Sequence, residues 1–176
     1  MSRCPTSRSS GPALALLAPA AERGRQAHMK PHITIKRMWS DNDVALLTFE
    51  VCDGESVFSM EAYSELDWGA KAATALARFS HQVHGGLYDL EAGDGGPEYA
   101  SGAFRARFHY YKPNQLLIST VQQGKYIRFK KGQVAPEAKM FLRSEPALLD
   151  RFISALPVLD RTNDEVATLE CVTLVP

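Results

Sequence analysis

"VALLTFEVCDGESVFSMEAYS", residues 44–64, decides how this chain folds. Its first run places Ala45, Leu47, Phe49 and Val51 on alternate positions, and its last run does the same with Phe58, Met60 and Ala62. A period of two sets such side chains on one face of an extended strand, the pattern of a half-buried sheet. Between the runs stands Asp53-Gly54, whose glycine tolerates the positive φ of a tight hairpin turn. Upstream, "HITIKRMW" (residues 32–39) alternates Ile33 and Ile35 with His32, Thr34 and Lys36, and "SDND" (residues 40–43) supplies another turn. Residues 32–64 therefore predict a three-stranded antiparallel meander.

The period then changes. Ser64 and Asp67 have the spacing of a capping box, and Leu66, Ala70, Ala73 and Ala77 recur at helical intervals up to about Phe79. After "HQVHGG", "LYDLEAG" (87–93) reads as a short strand and "GDGGPEYASG" (93–102) as a loop. Phe104, Ala106, Phe108 and Tyr110 then alternate with Arg105, Arg107, His109 and Tyr111. "KPN" predicts a turn, "QLLISTVQ" a strand, Gln123-Gly124 a second turn, and "KYIRFKK" (125–131) and "AKMFL" (138–142) further strands. Ser144 and Pro146 open a second helix with Leu148, Leu149, Phe152, Ile153 and Leu156 on its core stripe. A closing run, Ala167, Leu169, Cys171, Thr173 and Val175, alternates again.

The order βββ-α-ββββ(β)-α, with strands in hairpin-connected groups, predicts an α+β fold: an antiparallel sheet of about seven to eight strands with both helices packed on one face. Residues 29–176 read as one domain, since compact domains commonly run to about 100–200 residues. Residues 1–28 differ in kind. They hold "GPALALLAPAA" between arginines, with Pro12 and Pro19 crowding the apolar run, and read as a disordered or transit-type leader or as a mis-assigned start ahead of Met29. The hydrophobic share of 45% and charged share of 23% are ordinary for a globular protein. No apolar run approaches the roughly 18 residues of a membrane span, so no membrane partner is expected. Cys4, Cys52 and Cys171 form no CxxC pair, which points to free thiols in a reduced, cytoplasmic compartment.

The net charge of zero conceals a division along the chain. Residues 1–40 carry seven Lys/Arg against one acid, 41–100 two against twelve, 101–143 nine against one, and 144–176 two against six. The acidic block supplies one candidate binding set, Asp41, Asp43, Asp53, Glu55, Glu61, Glu65 and Asp67, around turns and a helix start where opposite charge would speed and sharpen binding of a basic protein. The basic block supplies another. Arg105, Arg107, Lys125, Arg128 and Lys130, among Tyr110, Tyr111 and Tyr126, could present cations and stacking rings to a nucleic acid on strands 104–111 and 125–131. The period of "KYIRFKK" puts Arg128 and Lys130 opposite Lys125 and Lys131, however, so these cations do not share one face.

Catalytic chemistry has fewer handles. His81 and His84 lack the glutamate of a zincin motif, and Asp89, Glu91, Asp94 and Glu98 lack the spacing of an EF-hand loop and read as an acidic turn. No G-x-S-x-G elbow, P-loop or dinucleotide fingerprint occurs, and no cofactor is expected. A small hydrolase-like enzyme would draw its site from His81, His84 and Cys52.

The linear pattern also resembles a family. "ITIKRMW", the Asp-Gly hairpin, a helix with Trp68-Gly69 and Leu76-x-x-Phe79, "LYDLEAG", "AFRARFHYY" and a closing L-L-x-x-F-x-x-x-L helix are similar to small uncharacterised bacterial α+β proteins, some of them immunity-like partners of secreted toxins. The resemblance spans about residues 32 to 156 and implies a cytoplasmic, non-catalytic module that binds a protein, such as a basic toxin. It carries no site residues with it.

Overall fold

The alternation of residues 44–64 becomes the centre of a sheet. The computed structural model describes residues 29–82 and 85–172, and in it β1 (His32–Ser40), β2 (Ala45–Cys52) and β3 (Val57–Ser64) form the expected meander. After α1 (Trp68–Ser80) come β4 (Leu87–Ala92), β5 (Ala103–Lys112), β6 (Gln115–Gln123), β7 (Ile127–Phe129), β8 (Gly132–Val134) and β9 (Glu137–Ser144). The described chain closes with α2 (Pro146–Ala155), a 3-10 segment (Leu156–Asp160) and β10 (Val166–Glu170). Residues 1–28, His84, Thr173 and Val175 lie outside the described residues.

The α+β class and the antiparallel pairing hold, but a single sheet of seven to eight strands does not form. Two four-stranded sheets do, in the orders β10-β1-β2-β3 and β4-β5-β6-β9, together with a two-stranded ribbon, β7-β8. A glycine corner explains the break. Gly93 turns with φ 70°, and a Cβ on it would collide with the Gly102 carbonyl oxygen; a Cβ on Gly102 would collide with that of Gln123. Backbones that approach this closely let β3 lie across the ends of β4 and β5. The Gly102 N–H donates to the Glu61 carbonyl at 2.9 Å, and the Tyr63 N–H to Ser101 Oγ at 3.1 Å. At the opposite margin the Val172 N–H donates to the Arg143 carbonyl and Ser144 Oγ to that of Glu170, both at 2.8 Å.

The core lies between the two sheets. Phe49 of β2 stacks on Phe104 of β5 with ring centroids 4.3 Å apart, while Phe79 of α1 meets Phe108 and Tyr110, and Trp68 meets Phe49. Both helices share this core, but α1 touches both sheets and α2 packs on β10 and α1, so the expected arrangement on one face of one sheet is corrected.

Helix α1 begins at Trp68 rather than at Ser64, and Asp67 makes no side-chain cap. The Asp160 carboxylate caps it instead, accepting the Gly69 N–H at 2.8 Å and the Ala70 N–H at 2.7 Å. Two of the donors that a helix start leaves unpaired are thus satisfied from ninety residues away in the chain. This docking turns the helix so that Ala72 and Leu76 join Ala73 inside, while Ala70 is exposed.

The other correction concerns residues 123–134. The chain does not turn at Gln123-Gly124; β6 runs on towards β7 and pairs with β9, and the Gly124 N–H donates to the Pro136 carbonyl at 2.8 Å. The turn comes at Lys130-Lys131, where Lys130 adopts a φ of 52°, and β8 returns the chain. β6–β7 and β8–β9 are therefore the two arms of one long hairpin whose tip stands clear of both sheets. Among the described residues, no helix is long and apolar enough to cross a membrane.

Candidate functional site

The outer face of the second sheet is divided in two. Its β4–β5 half is charged, because the register sets Asp89 beside Arg107 and Glu91 beside Arg105. Arg107 grips Asp89 with two bonds, Nε to Oδ1 at 2.7 Å and Nη2 to Oδ2 at 2.8 Å. Arg105 reaches the same carboxylate at 2.5 Å and Glu91 at 3.1 Å. The hydrogen bonds from Arg107, reinforced by Arg105, hold the Asp89 carboxyl well below the usual carboxylate range, and Asp89 in turn raises the Arg107 guanidinium. Asp89 and Arg107 each favour the other's charged form.

The β6–β9 half carries Leu117, Val121 and Phe141 on the same outer face, with Leu87 across the sheet on β4. Leu87 is 57% and Phe141 56% exposed. With Leu117, His109 and the stem of Arg107, Leu87 and Phe141 line an open depression of about 330 Å³. Lys139 lies over the Phe141 ring at 5.3 Å, leaving the rest of the ring to solvent. The arrangement suits a protein surface that supplies apolar atoms over β6–β9 and polar atoms over the ladder.

The predicted acid set does not gather in one place. Asp41, Asp43, Glu65 and Asp67 lie at the β1–β2 end of the meander, Asp53 and Glu55 at the far end, about 25 Å away by the length of β2, and Glu61 on the outer face between them. Several are also engaged locally. Asp41 Oδ1 accepts the backbone N–H groups of Val44 and Asp43 at 2.8 Å each, which lowers its pKa, and Asp53 Oδ1 accepts those of Glu55 and Ser56. Glu65 and Asp67 both pair with Lys71 and raise its pKa, Glu65 the more strongly.

The polyanion set divides as well. Arg105 and Arg107 are held in the ladder, and Tyr110 is 3% exposed and stacked on Phe79, so it offers no ring to a base. Tyr126 is half-buried at the ribbon's neck, whereas Lys125, Arg128 and Lys130 are exposed on the ribbon. Asp89 and Glu91 lie on the short strand expected over residues 87–93 and face arginines, so they do not join Asp94 and Glu98 in an acidic turn. Of the catalytic candidates, His81 is the C-cap of α1 and Cys52 is fully buried. Cys171, near Cys52, is buried too, and burial chiefly pushes its thiol up to about 12, which disfavours the nucleophilic thiolate. Among the described residues, no group of three His, Cys, Asp or Glu could hold a metal ion.

Reading by alternation misses Leu117 and Phe141. The signal was present: "LLI" and "MFL" are continuous apolar runs, and in a strand with one buried face the middle residue of each must point outward. Compared with protein-family models, with curated proteins and with solved structures, the chain matches none.

Proposed function

We propose that this chain is a non-catalytic protein-binding module and that its partner covers the outer face of the second sheet. The supporting observation is the exposure of Leu87 and Phe141 around the apolar depression, beside an ion-pair ladder that already satisfies its own charges. A solvated sheet face needs no phenylalanine, and covering apolar surface contributes roughly 25 cal/mol per Å². The ladder contributes register and selectivity, since a partner that cannot match its paired charges must desolvate them unaided. An immunity-type inhibitor of a basic toxin is the narrower form of this proposal, in which the acids at the β1–β2 end would steer the encounter.

The test is capture from a lysate of the source cell with the full chain immobilised, beside Leu117→Asp and Phe141→Asp variants shown to be folded by circular dichroism. One protein held by the unmodified chain and by Lys131→Glu, but lost by both sheet variants, is the expected result. A protein retained by both sheet variants, or recovery of nucleic acid alone, contradicts the proposal.

A further inference from the structure

We infer that two copies of this chain pair by exchanging their β7–β8 ribbons, each laying the apolar side of its ribbon on the Trp39–Leu46–Tyr63 row of the other. The inference goes beyond the protein-binding reading and, the acids of the β1–β2 turn apart, uses surfaces away from the outer face of the second sheet.

The donor is the ribbon. Its register pairs Ile127 with Val134 and Phe129 with Gly132, so Ile127, Phe129 and Val134 share one side while Arg128 and Gln133 take the other. All three apolar residues are exposed, Ile127 and Phe129 at 56% each. A two-stranded hairpin without a third strand or a covered face is only marginally stable in water. The charge is as one-sided as the packing. No acid occurs between Glu98 and Glu137, and among the described residues Lys125, Arg128, Lys130 and Lys131 have no acidic partner within ion-pair distance.

The acceptor is on the outer face of the first sheet, where cross-strand register lines up Trp39, Leu46 and Tyr63. Trp39 and Tyr63 meet edge to face at 6.2 Å, and both stay more than a third exposed. Acids frame this row: Glu61 is two residues from Tyr63 on the same face, and Asp41 and Asp43 occupy the adjoining turn. The apolar side of the ribbon, with Lys130 and Lys131 at its tip, therefore meets an aromatic row framed by acids, while Arg128 faces away from it.

Adjacency favours a second copy over an unrelated partner. Gly124, Lys125 and Pro136 at the ribbon's neck line the same depression, of about 300 Å³, as Leu46, Glu61 and Tyr63. Donor and acceptor thus lie side by side on one molecule. A two-fold axis lets each ribbon reach the other row, and the assembly closes at two copies. Ribbon against ribbon would instead oppose like charges.

Sedimentation velocity on the full chain tests this, with two variants: a ribbon variant, Lys130→Glu with Lys131→Glu at the tip, and a row variant, Asp43→Lys with Glu61→Lys. The unmodified chain is expected to dimerise at low salt, each variant alone to weaken dimerisation by about tenfold or more, and the equimolar mixture to regain it, because both exchanged contacts are then complementary. Phe129→Ser is expected to weaken it without altering its salt dependence. A monomeric unmodified chain, dimers undiminished in both variants, or a mixture that fails to pair overturns the inference, as does a monomer whose ribbon binds anionic vesicles or single-stranded oligonucleotides. Capture of a protein through Phe141 is read on another face, so either proposal can fail alone.

Discussion

Arg107 on β5 and Arg128 on β7 look alike in the sequence, each a cation alternating with apolar neighbours, yet the fold treats them differently. β5 has a neighbour whose register sets Asp89 opposite Arg107, and the guanidinium is held by two hydrogen bonds. Across the ribbon from Arg128 stands Gln133, and no carboxylate reaches the arginine among the described residues. The availability of a charge on a sheet is therefore set by the strand beside it more than by its own strand. The second-sheet ladder is part of the fold, while the ribbon's cations remain open to a partner.

The contrast can be broken most severely at the corner that positions β5. In Gly102→Val, branched carbons must enter space held by the Gln123 carbonyl and the Met60 side chain, so a loss of about 3 kcal/mol in urea unfolding is expected. Unchanged stability would show that the two sheets are not tied there. A smaller effect tests the ladder itself. Asp89→Asn leaves both arginines without their shared anion, and the expected loss at pH 7 is about 1 kcal/mol after allowance for solvent screening. The pH dependence has a definite sign. Because the folded pKa of Asp89 is depressed, its contribution is fully present above the unfolded carboxylate value of about 3.9 and is lost as pH falls further towards the folded value. The gap between the unmodified chain and Asp89→Asn should hold from pH 7 to 5 and narrow below pH 4; a constant gap down to pH 2 would remove the ladder from the account. The smallest effect sharpens the comparison from the other side: Arg128→Gln should change stability by less than about 0.5 kcal/mol. A loss matching that of Asp89→Asn would mean that the ribbon's charges also hold the fold.

Local patterns in the sequence were legible wherever neighbours in the chain are neighbours in space. Asp53-Gly54 made the expected hairpin because its turn chemistry is contained in adjacent residues, and the inward alternation of β2, β3 and β5 follows from period alone. Distant partners were not legible. Asp160 caps α1 from the other end of the chain, and Gly93 and Gly102 split the sheet only because they meet each other, β3 and β6. Gln123-Gly124 looked like a turn and was not one, whereas Lys130-Lys131, with a lysine at positive φ, turned without the usual glycine. The sites divide in the same way: exposed Phe141 could be found from a run of apolar residues, but the neutralisation of Arg105 and Arg107 depends on a register that only the fold supplies.

The most direct test is hydroxyl-radical labelling of the full chain with and without the captured protein, read residue by residue by mass spectrometry. Leu87, Leu117 and Phe141 are expected to be labelled in the free chain and shielded in the complex. Phe141 labelled equally in both states, with new shielding confined to Trp39, Tyr63 or the Asp53 hairpin, would contradict it and move the binding surface off the second sheet.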